Sequence, residues 1–330
     1  MNVLVTGAAG MIGRKLVARL AGDGVLGSEP ISLLVLADLV EPEQTEGAGS
    51  EVETVAADLA DDGVAMQLVA SRPGVIFHLA AVVSGEAERD FDKGYRVNVD
   101  GLRRLLEAIR ALGDGYRPRL VFASSIAVFG APLPDVIGDD QYQAPLTSYG
   151  TQKAIGELLL SDYTRRGFLD GVGIRLPTIC VRPGRPNAAA SGFFSSIIRE
   201  PLSGEEAVLP VPDDLRHWHA SPRAAVGFLL RAATIDGDAL GHRRCLTMPG
   251  VSVTVGEQIA ALREVAGDDA VGLIRREPDE EVLRIVEGWP RAFDARRAIE
   301  LGFRAESDFE EIVRVHVEDE LGGRIARTQA

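Results

Sequence analysis

The chain has 330 residues, 46% of them hydrophobic and 25% charged, an ordinary composition for a soluble globular protein with ample chain to bury a core. Its net charge of −14 argues against a surface built for nucleic acid or anionic membranes, because both call for clustered Lys and Arg. Any anionic small molecule must then be held by a local cation rather than by the overall field.

The first residues, Met1-Asn2-Val3-Leu4-Val5, are a strand-like run without a charged leader, so no signal peptide is expected. No apolar stretch is long enough to span a bilayer. The run stops at Thr6-Gly7-Ala8-Ala9-Gly10-Met11-Ile12-Gly13, after which Ile12, Leu16 and Leu20 recur at helical spacing. Glycines between a strand and a helix permit a tight turn, admit a pyrophosphate close to the backbone and let helix pack on strand. The helix start then offers free N–H groups to the phosphates. A second apolar run, 31–37, ends at Asp38. An acidic residue at that point would bind the adenosine ribose hydroxyls and repel the extra phosphate of NADP, so NAD is the expected cofactor.

Residues 51–57 read as a third strand, followed by Asp58-Leu59. Asp58 could meet the adenine edge or cap the next helix. Residues 75–81 form a fourth strand that runs into the small residues of Leu79-Ala80-Ala81, leaving room for a cofactor. His78 within it reads as a core histidine. Asn98 precedes an apolar-sided helix carrying Leu102, Leu105, Leu106 and Ile109, either core or the face of a dimer.

A fifth strand, 120–123, delivers Ser124-Ser125, where a serine could hydrogen-bond a reacting oxygen or simply cap the strand end. Beyond a loop rich in Pro, Asp and Gly comes Ser148-Tyr149-Gly150-Thr151-Gln152-Lys153, with Thr147 or Ser148 placed to cap a helix. Tyr149 and Lys153, four residues apart, share one helical face. A phenol titrating near ~10 is a poor base at neutral pH. A nearby ammonium favours the phenolate, so Lys153 is expected to draw the Tyr149 pKa down and make Tyr149 a proton acceptor.

Together, the glycine-rich stretch, His78-Leu79-Ala80-Ala81, Ser125 ahead of Val128-Phe129-Gly130, and Tyr149 with Lys153 resemble the extended short-chain dehydrogenase/reductases. One departure is Phe129, where many members of that family carry tyrosine. The resemblance implies a Rossmann-type, doubly wound parallel α/β sheet with a smaller C-terminal α/β substrate lobe. Residues 1–180 would bind NAD and 181–330 would mainly form the lobe, with 220–247 returning to the first part. It further implies Ser125, Tyr149 and Lys153 as catalytic residues. Cofactor contacts would come from Gly7, Gly10, Met11, Ile12, Gly13, Asp38, Asp58, Leu59, Leu79, Ala80, Ala81, Asn98, Tyr149, Lys153 and Pro177.

In the second half, residues 174–184, 191–194 and 216–223, with 149–158, look like the D-erythronate dehydrogenases of that family. The implied reaction is NAD-dependent oxidation of the C2 hydroxyl of a four-carbon sugar acid. Residues 171–179 read as a sixth strand, whose end at Pro177 would lie beside the nicotinamide by the family pattern. A carboxylate calls for a paired N–H donor such as Arg. Arg182, Arg185, His217, Trp218 and Arg223 are the available polar groups, and the candidate substrate contacts are Ser84, Ser125, Tyr149, Arg182, Phe193, His217 and Trp218. Cys180 and Cys245 have no metal-type spacing and no HExxH motif exists, so no metal is expected and the cysteines read as reduced thiols of a cytoplasmic protein. A homodimer acting on a small molecule is expected, without nucleic-acid or membrane partners. The alternatives are a sugar-nucleotide epimerase or reductase and, in another class, a non-catalytic NAD-sensing regulator.

Overall fold

A computed structural model describes residues 1–43, 49–184 and 191–326. Arg185, one of the candidate cations, lies outside the described residues. The apolar runs form the strands β1 (Asn2–Thr6), β2 (Leu33–Asp38), β3 (Glu51–Ala56), β4 (Val75–His78), β5 (Arg119–Ser125) and β6 (Asp170–Leu176). After these come β7 (Thr178–Ile179), β8 (Ala207–Leu209), β9 (Arg216–Ala220), β10 (Cys245–Thr247), β11 (Val251–Thr254) and β12 (Ile274–Arg276). The main sheet has seven strands in the order β10-β6-β5-β4-β1-β2-β3, and every pairing in it is parallel. Val5 lies between Leu36 and Phe77, and all three are completely buried. Continuous apolar strands are what a sheet covered on both faces requires.

One face is covered by α1 (Met11–Asp23), through Leu16, Val17 and Leu20. The other carries α2 (Leu102–Leu112) and α3 (Ser148–Arg165), through Leu102, Leu105, Leu106, Ile109 and Leu160. A second helix pair, α4 (Gly192–Leu202) and α5 (Pro222–Thr234), divides its roles. α5 joins α1 on the first face through Ala225, Phe228 and Leu229, whereas α4 packs in a separate apolar cluster. That cluster also holds α6 (Val255–Ala266) and α7 (Phe309–Leu321). Two small sheets accompany it, β11-β9-β7 and β8-β12.

Several boundaries differ from the sequence reading, the fourth strand among them, which ends at His78 rather than Ala81. The second strand starts at Leu33 rather than Ile31. The sixth run, read as one strand to Ile179, breaks at Pro177 into β6 and β7. Proline has no N–H for the ladder, and beyond it β7 leaves the main sheet to pair with β9, His219 opposite Thr178. This break carries the chain from the parallel sheet into the second cluster.

Strand order reverses beside β1, so a crevice opens past the carboxyl ends of β1 and β4. Gly7 sits there at φ +80°, and a Cβ on it would lie 2.5 Å from the Ala80 amide nitrogen. Gly7→Ala should cost roughly 2–4 kcal/mol, combining a left-handed backbone with overpacking. Gly22, inside α1 with nothing within 4 Å of its absent Cβ, is the control. Gly22→Ala should leave stability equal or raise it by up to about 1 kcal/mol. Urea unfolding of the two variants checks the pair, and equal effects would remove the packing argument.

Candidate active site

The crevice is a cleft of about 340 Å³ lined by Thr6, Gly7, Gly10, Asp38, Asp58, Leu59, Leu79, Ala80 and Ala81 among others. Gly13 does not line it. A Cβ there would run into the Gly7 carbonyl oxygen and lie 2.9 Å from Ala8, so this glycine lets α1 pack on the loop. Gly10 is the more open position, with only the Gly7 carbonyl oxygen, 3.2 Å from a hypothetical Cβ, nearby. α1 has no side-chain N-cap and no acidic residue in its first turn. The Met11 and Ile12 N–H groups are therefore helix-end donors with the positive end of the dipole behind them. Asp38 is held in place by two N–H donors, Ala9 to Oδ2 at 2.9 Å and Leu39 to Oδ1 at 2.7 Å. Asp58 does not cap the helix that follows, Val64–Val69, whose N-cap is Gly63. It caps its own turn, accepting from the Ala60 N–H at 2.8 Å, while lining the cleft as the partner of Arg96. A turn that admits backbone to an anion, free helix-end donors and a fixed carboxylate at the far rim fit a dinucleotide.

The second group lies where β5, β6 and α3 converge. Thr147 caps α3, its Oγ1 accepting from the Gly150 N–H at 3.0 Å. Ser125 Oγ accepts from the Ala127 N–H at 3.1 Å, which leaves its own proton to donate elsewhere. Burial pushes the Tyr149 pKa above that of an ordinary phenol, while the Ser125 hydroxyl and the Arg182 guanidinium pull it back. The structure thus brings Ser125, Tyr149 and Arg182 together. Lys153 is 3% exposed; its Nζ donates to the Ala123 carbonyl at 2.8 Å and lies 5.6 Å from the centre of the Tyr149 ring. Burial lowers its pKa to about 8. The expectation that Lys153 draws Tyr149 below its ordinary value is therefore corrected: desolvation of the phenolate outweighs the nearby charges.

Arg182 is the most telling of the candidate substrate contacts. Its side chain donates to the Ile179 carbonyl at 3.0 Å and the Ser191 hydroxyl at 3.1 Å. Among the described residues it has no carboxylate partner, and desolvation lowers its pKa. Arg223, by contrast, pairs with Glu318 and Asp319 on α7 at 2.9 and 2.5 Å, which ties the second cluster to the first. His217 is also occupied. Its Nδ1 donates to the Pro290 carbonyl at 2.9 Å, leaving Nε2 to accept from the Thr178 hydroxyl at 2.7 Å. Burial holds it neutral, with a pKa of about 4.

Other candidates are placed in packing rather than at an open surface. Trp218 donates to the Met248 carbonyl at 3.2 Å and packs with Ile126, Phe129 and Phe293. Phe193 is 8% exposed and lies tilted against Phe194, ring centroids 4.1 Å apart, in the second cluster. Ser84 opens the short helix Ser84–Arg89 at the cleft mouth. Pro177 is buried at the β6–β7 break. Asn98 does not line the cleft, and its amide is used internally. Its Oδ1 accepts from the Val82 N–H at 2.8 Å, and its Nδ2 donates to the Val82 carbonyl at 3.1 Å and to Gln152 at 2.7 Å. Asn98 thereby braces the cleft-lining segment against α3. It does so from a widened π-type turn, Arg96–Gly101, a feature common near functional sites.

Several residues of the site were not anticipated. Val82, Glu86, Lys93 and Val97 line the cleft, with Lys93 and Glu86 paired at 2.6 Å; no local pattern marks them. The buried Glu157 was given no role either, although it lies one turn beyond Lys153 on the same helical periodicity, while Thr178, expected at the strand end beside the nicotinamide, bonds His217. His78 is a core histidine, its Nδ1 2.8 Å from the Thr6 hydroxyl and its ring stacked on Phe122. Among the described residues no cluster of His, Cys, Asp and Glu could hold a metal ion, and no helix is long and apolar enough to cross a membrane.

Comparison with known proteins adds an independent line. A protein named D-erythronate dehydrogenase from Cupriavidus necator is 50% identical over 323 residues, covering 97% of this chain and 98% of that protein. One of the same name from Haemophilus influenzae is 39% identical over 321 residues, covering 97% of this chain and 100% of that protein. A crystal structure named as a nucleoside-diphosphate-sugar epimerase from Agrobacterium tumefaciens superposes with a TM-score of 0.97 at 64% identity, covering 99% of this chain and 96% of that one. The family described as the NAD dependent epimerase/dehydratase family matches residues 3–220. With the strand order, the glycine turn and the Tyr–Lys helix already in place, the chain belongs to the NAD dependent epimerase/dehydratase family.

Proposed function

We propose that this protein is an NAD-dependent dehydrogenase that oxidises the C2 hydroxyl of D-erythronate to the corresponding 2-keto acid. The observation that carries the substrate class is Arg182, a desolvated guanidinium beside Tyr149 with no carboxylate partner among the described residues. A sugar acid supplies that carboxylate next to the carbon to be oxidised. The two relatives named D-erythronate dehydrogenase support the choice of acid.

In this reading Arg182 binds the carboxylate through paired N–H donors. Ser125 donates its hydroxyl proton to the substrate oxygen and fixes its orientation. Tyr149, as phenolate, takes the proton from the C2 hydroxyl. Lys153 favours that phenolate and binds the ribose next to the nicotinamide. Gly7, Gly10 and the N–H groups of Met11 and Ile12 hold the pyrophosphate, and Asp38 the adenosine ribose. NAD, when bound, supplies the hydride acceptor. Residues 1–180 with 220–247 make up the nucleotide-binding part and most of 181–330 the substrate lobe.

We propose further that the protein is a cytoplasmic homodimer. Supporting this, α2 and α3 are joined by a hydrogen bond between Tyr163 and Glu107 and present an outward face on which Leu158 is 67% exposed. Light scattering gives the mass directly, and a monomer would end that part of the proposal.

The central test is NADH formation across four- and five-carbon aldonic acids, run beside UDP-sugars. Turnover of D-erythronate above the other acids is the expected outcome. Epimerisation of a UDP-sugar without net NADH would favour the reading suggested by the name of the Agrobacterium relative. Tight NAD binding with no turnover of any alcohol would favour a regulator. Asp38 leads to a second expectation, because like charges brought together cost several kcal/mol. kcat/KM should favour NAD over NADP by at least about tenfold, and Asp38→Ala should narrow that ratio. An NADP preference in the native protein would sink the assignment of Asp38.

A further inference from the structure

Tyr149, Lys153 and Glu157 stand at successive four-residue steps on α3 and share one face. Glu157 is 3% exposed and has no part in the reading above. Its carboxylate accepts from Arg175 Nε, 3.0 Å from Oε1 and 3.1 Å from Oε2, and from Arg175 Nη2 at 2.8 Å. The Ser124 hydroxyl donates to it at 2.6 Å, and the Gln143 side-chain amide donates as well. Ser124 adjoins Ser125 at the end of β5, and Arg175 lies near the end of β6. One carboxylate on the Tyr–Lys helix therefore fastens the carboxyl ends of two strands.

Lys153 forms no ion pair among the described residues. Of the charges around it, Glu157 is the one that favours its ammonium against burial. Other titratable neighbours are few. Arg182 faces Tyr149, and the neutral His78 faces Lys153. Arg175 and Cys245 face Glu157, with Asp139 behind Arg175. Glu88 accepts from the Ser148 N–H at the helix start, 2.9 Å away.

We propose that Glu157 is a positioning residue of the proton-transfer site: bridged to Arg175, it holds Ser124, and with it Ser125, in register with Tyr149. The proposal rests on the roles assigned above to Ser125 and Tyr149. The Ser125 hydroxyl favours the Tyr149 phenolate, so letting Ser125 drift out of register makes the phenolate harder to form.

Removing both buried charges, Glu157→Gln with Arg175→Met, separates positioning from a purely structural role, because an ion pair replaced as a pair can leave stability intact. The readout is the phenolate absorbance of Tyr149 in the NAD-saturated protein, taken as the difference from the same protein carrying Tyr149→Phe. In the double variant this titration should move up by about one pH unit. kcat at neutral pH should fall by about tenfold, with KM little changed. A titration coinciding with that of the native protein would overturn the proposal. Should the double variant fail to fold, Glu157→Gln alone, which keeps the side chain's size, is read in the same way and by the same criterion. The absorbance needs no substrate. Failure of the native protein to oxidise D-erythronate would therefore count against the functional reading, while the titration would still decide the role of Glu157.

Discussion

Tyr149→Phe is expected to lower turnover by at least about 10³-fold, in the upper part of the range for losing a positioned acid–base group. The substitution removes one oxygen and leaves the ring, which lies 5.6 Å from Lys153 Nζ. Gly150, directly after it, packs against the Ala127 carbonyl, so α3 stays anchored where it starts. NAD affinity, measured by fluorescence titration, should change by less than about threefold, because most of the proposed cofactor contacts lie on the glycine turn and at Asp38. Substantial remaining turnover would refute the proton-acceptor role. The direction of pH dependence follows from the same site. Burial raises the Tyr149 pKa, and the base is active only when deprotonated, so kcat/KM should climb between about pH 6 and pH 9. A profile falling over that interval would contradict phenolate chemistry.

Arg182→Gln should lower kcat/KM for D-erythronate by about 10²-fold or more, the scale for losing one partner of a desolvated, hydrogen-bonded charge pair. The loss should appear mainly in KM, since the carboxylate is bound in both the ground state and the transition state. A polyol with no carboxylate, such as erythritol, serves as the control, and its weak turnover should be unaffected by the change. Arg182 also bonds the Ile179 carbonyl and the Ser191 hydroxyl, so Tm must be followed alongside. Equal losses on the acid and the polyol would mean that Arg182 acts only on the fold.

These two residues illustrate what could be read from the chain and what could not. Tyr149 was marked by Lys153 four residues away and by a capping threonine before it, signals contained within one helical turn. Arg182 was one of several candidate polar groups with nothing local to choose among them. The choice depends on partners distant in sequence: Glu318 and Asp319 occupy Arg223, and Thr178 and Pro290 occupy His217. Pro177 gives a similar lesson about the fold. The apolar run through residues 171–179 looked continuous, yet a missing N–H ended the strand and sent β7 to a different sheet.

By itself the sequence determined the parallel α/β architecture, the glycine turn at Gly7 to Gly13, the carboxylate at the end of the second strand and the Tyr–Lys spacing. All of these follow from short-range rules, namely the two-residue period of strands, the four-residue step of helices and the backbone freedom of glycine. The tertiary structure alone decided that Arg182, among the described residues, has no carboxylate partner, in which direction the Tyr149 pKa moves, and that Glu157 ties α3 to β5 and β6. Those outcomes depend on burial and on charges brought together from distant parts of the chain, and desolvation in the folded site sets their sign.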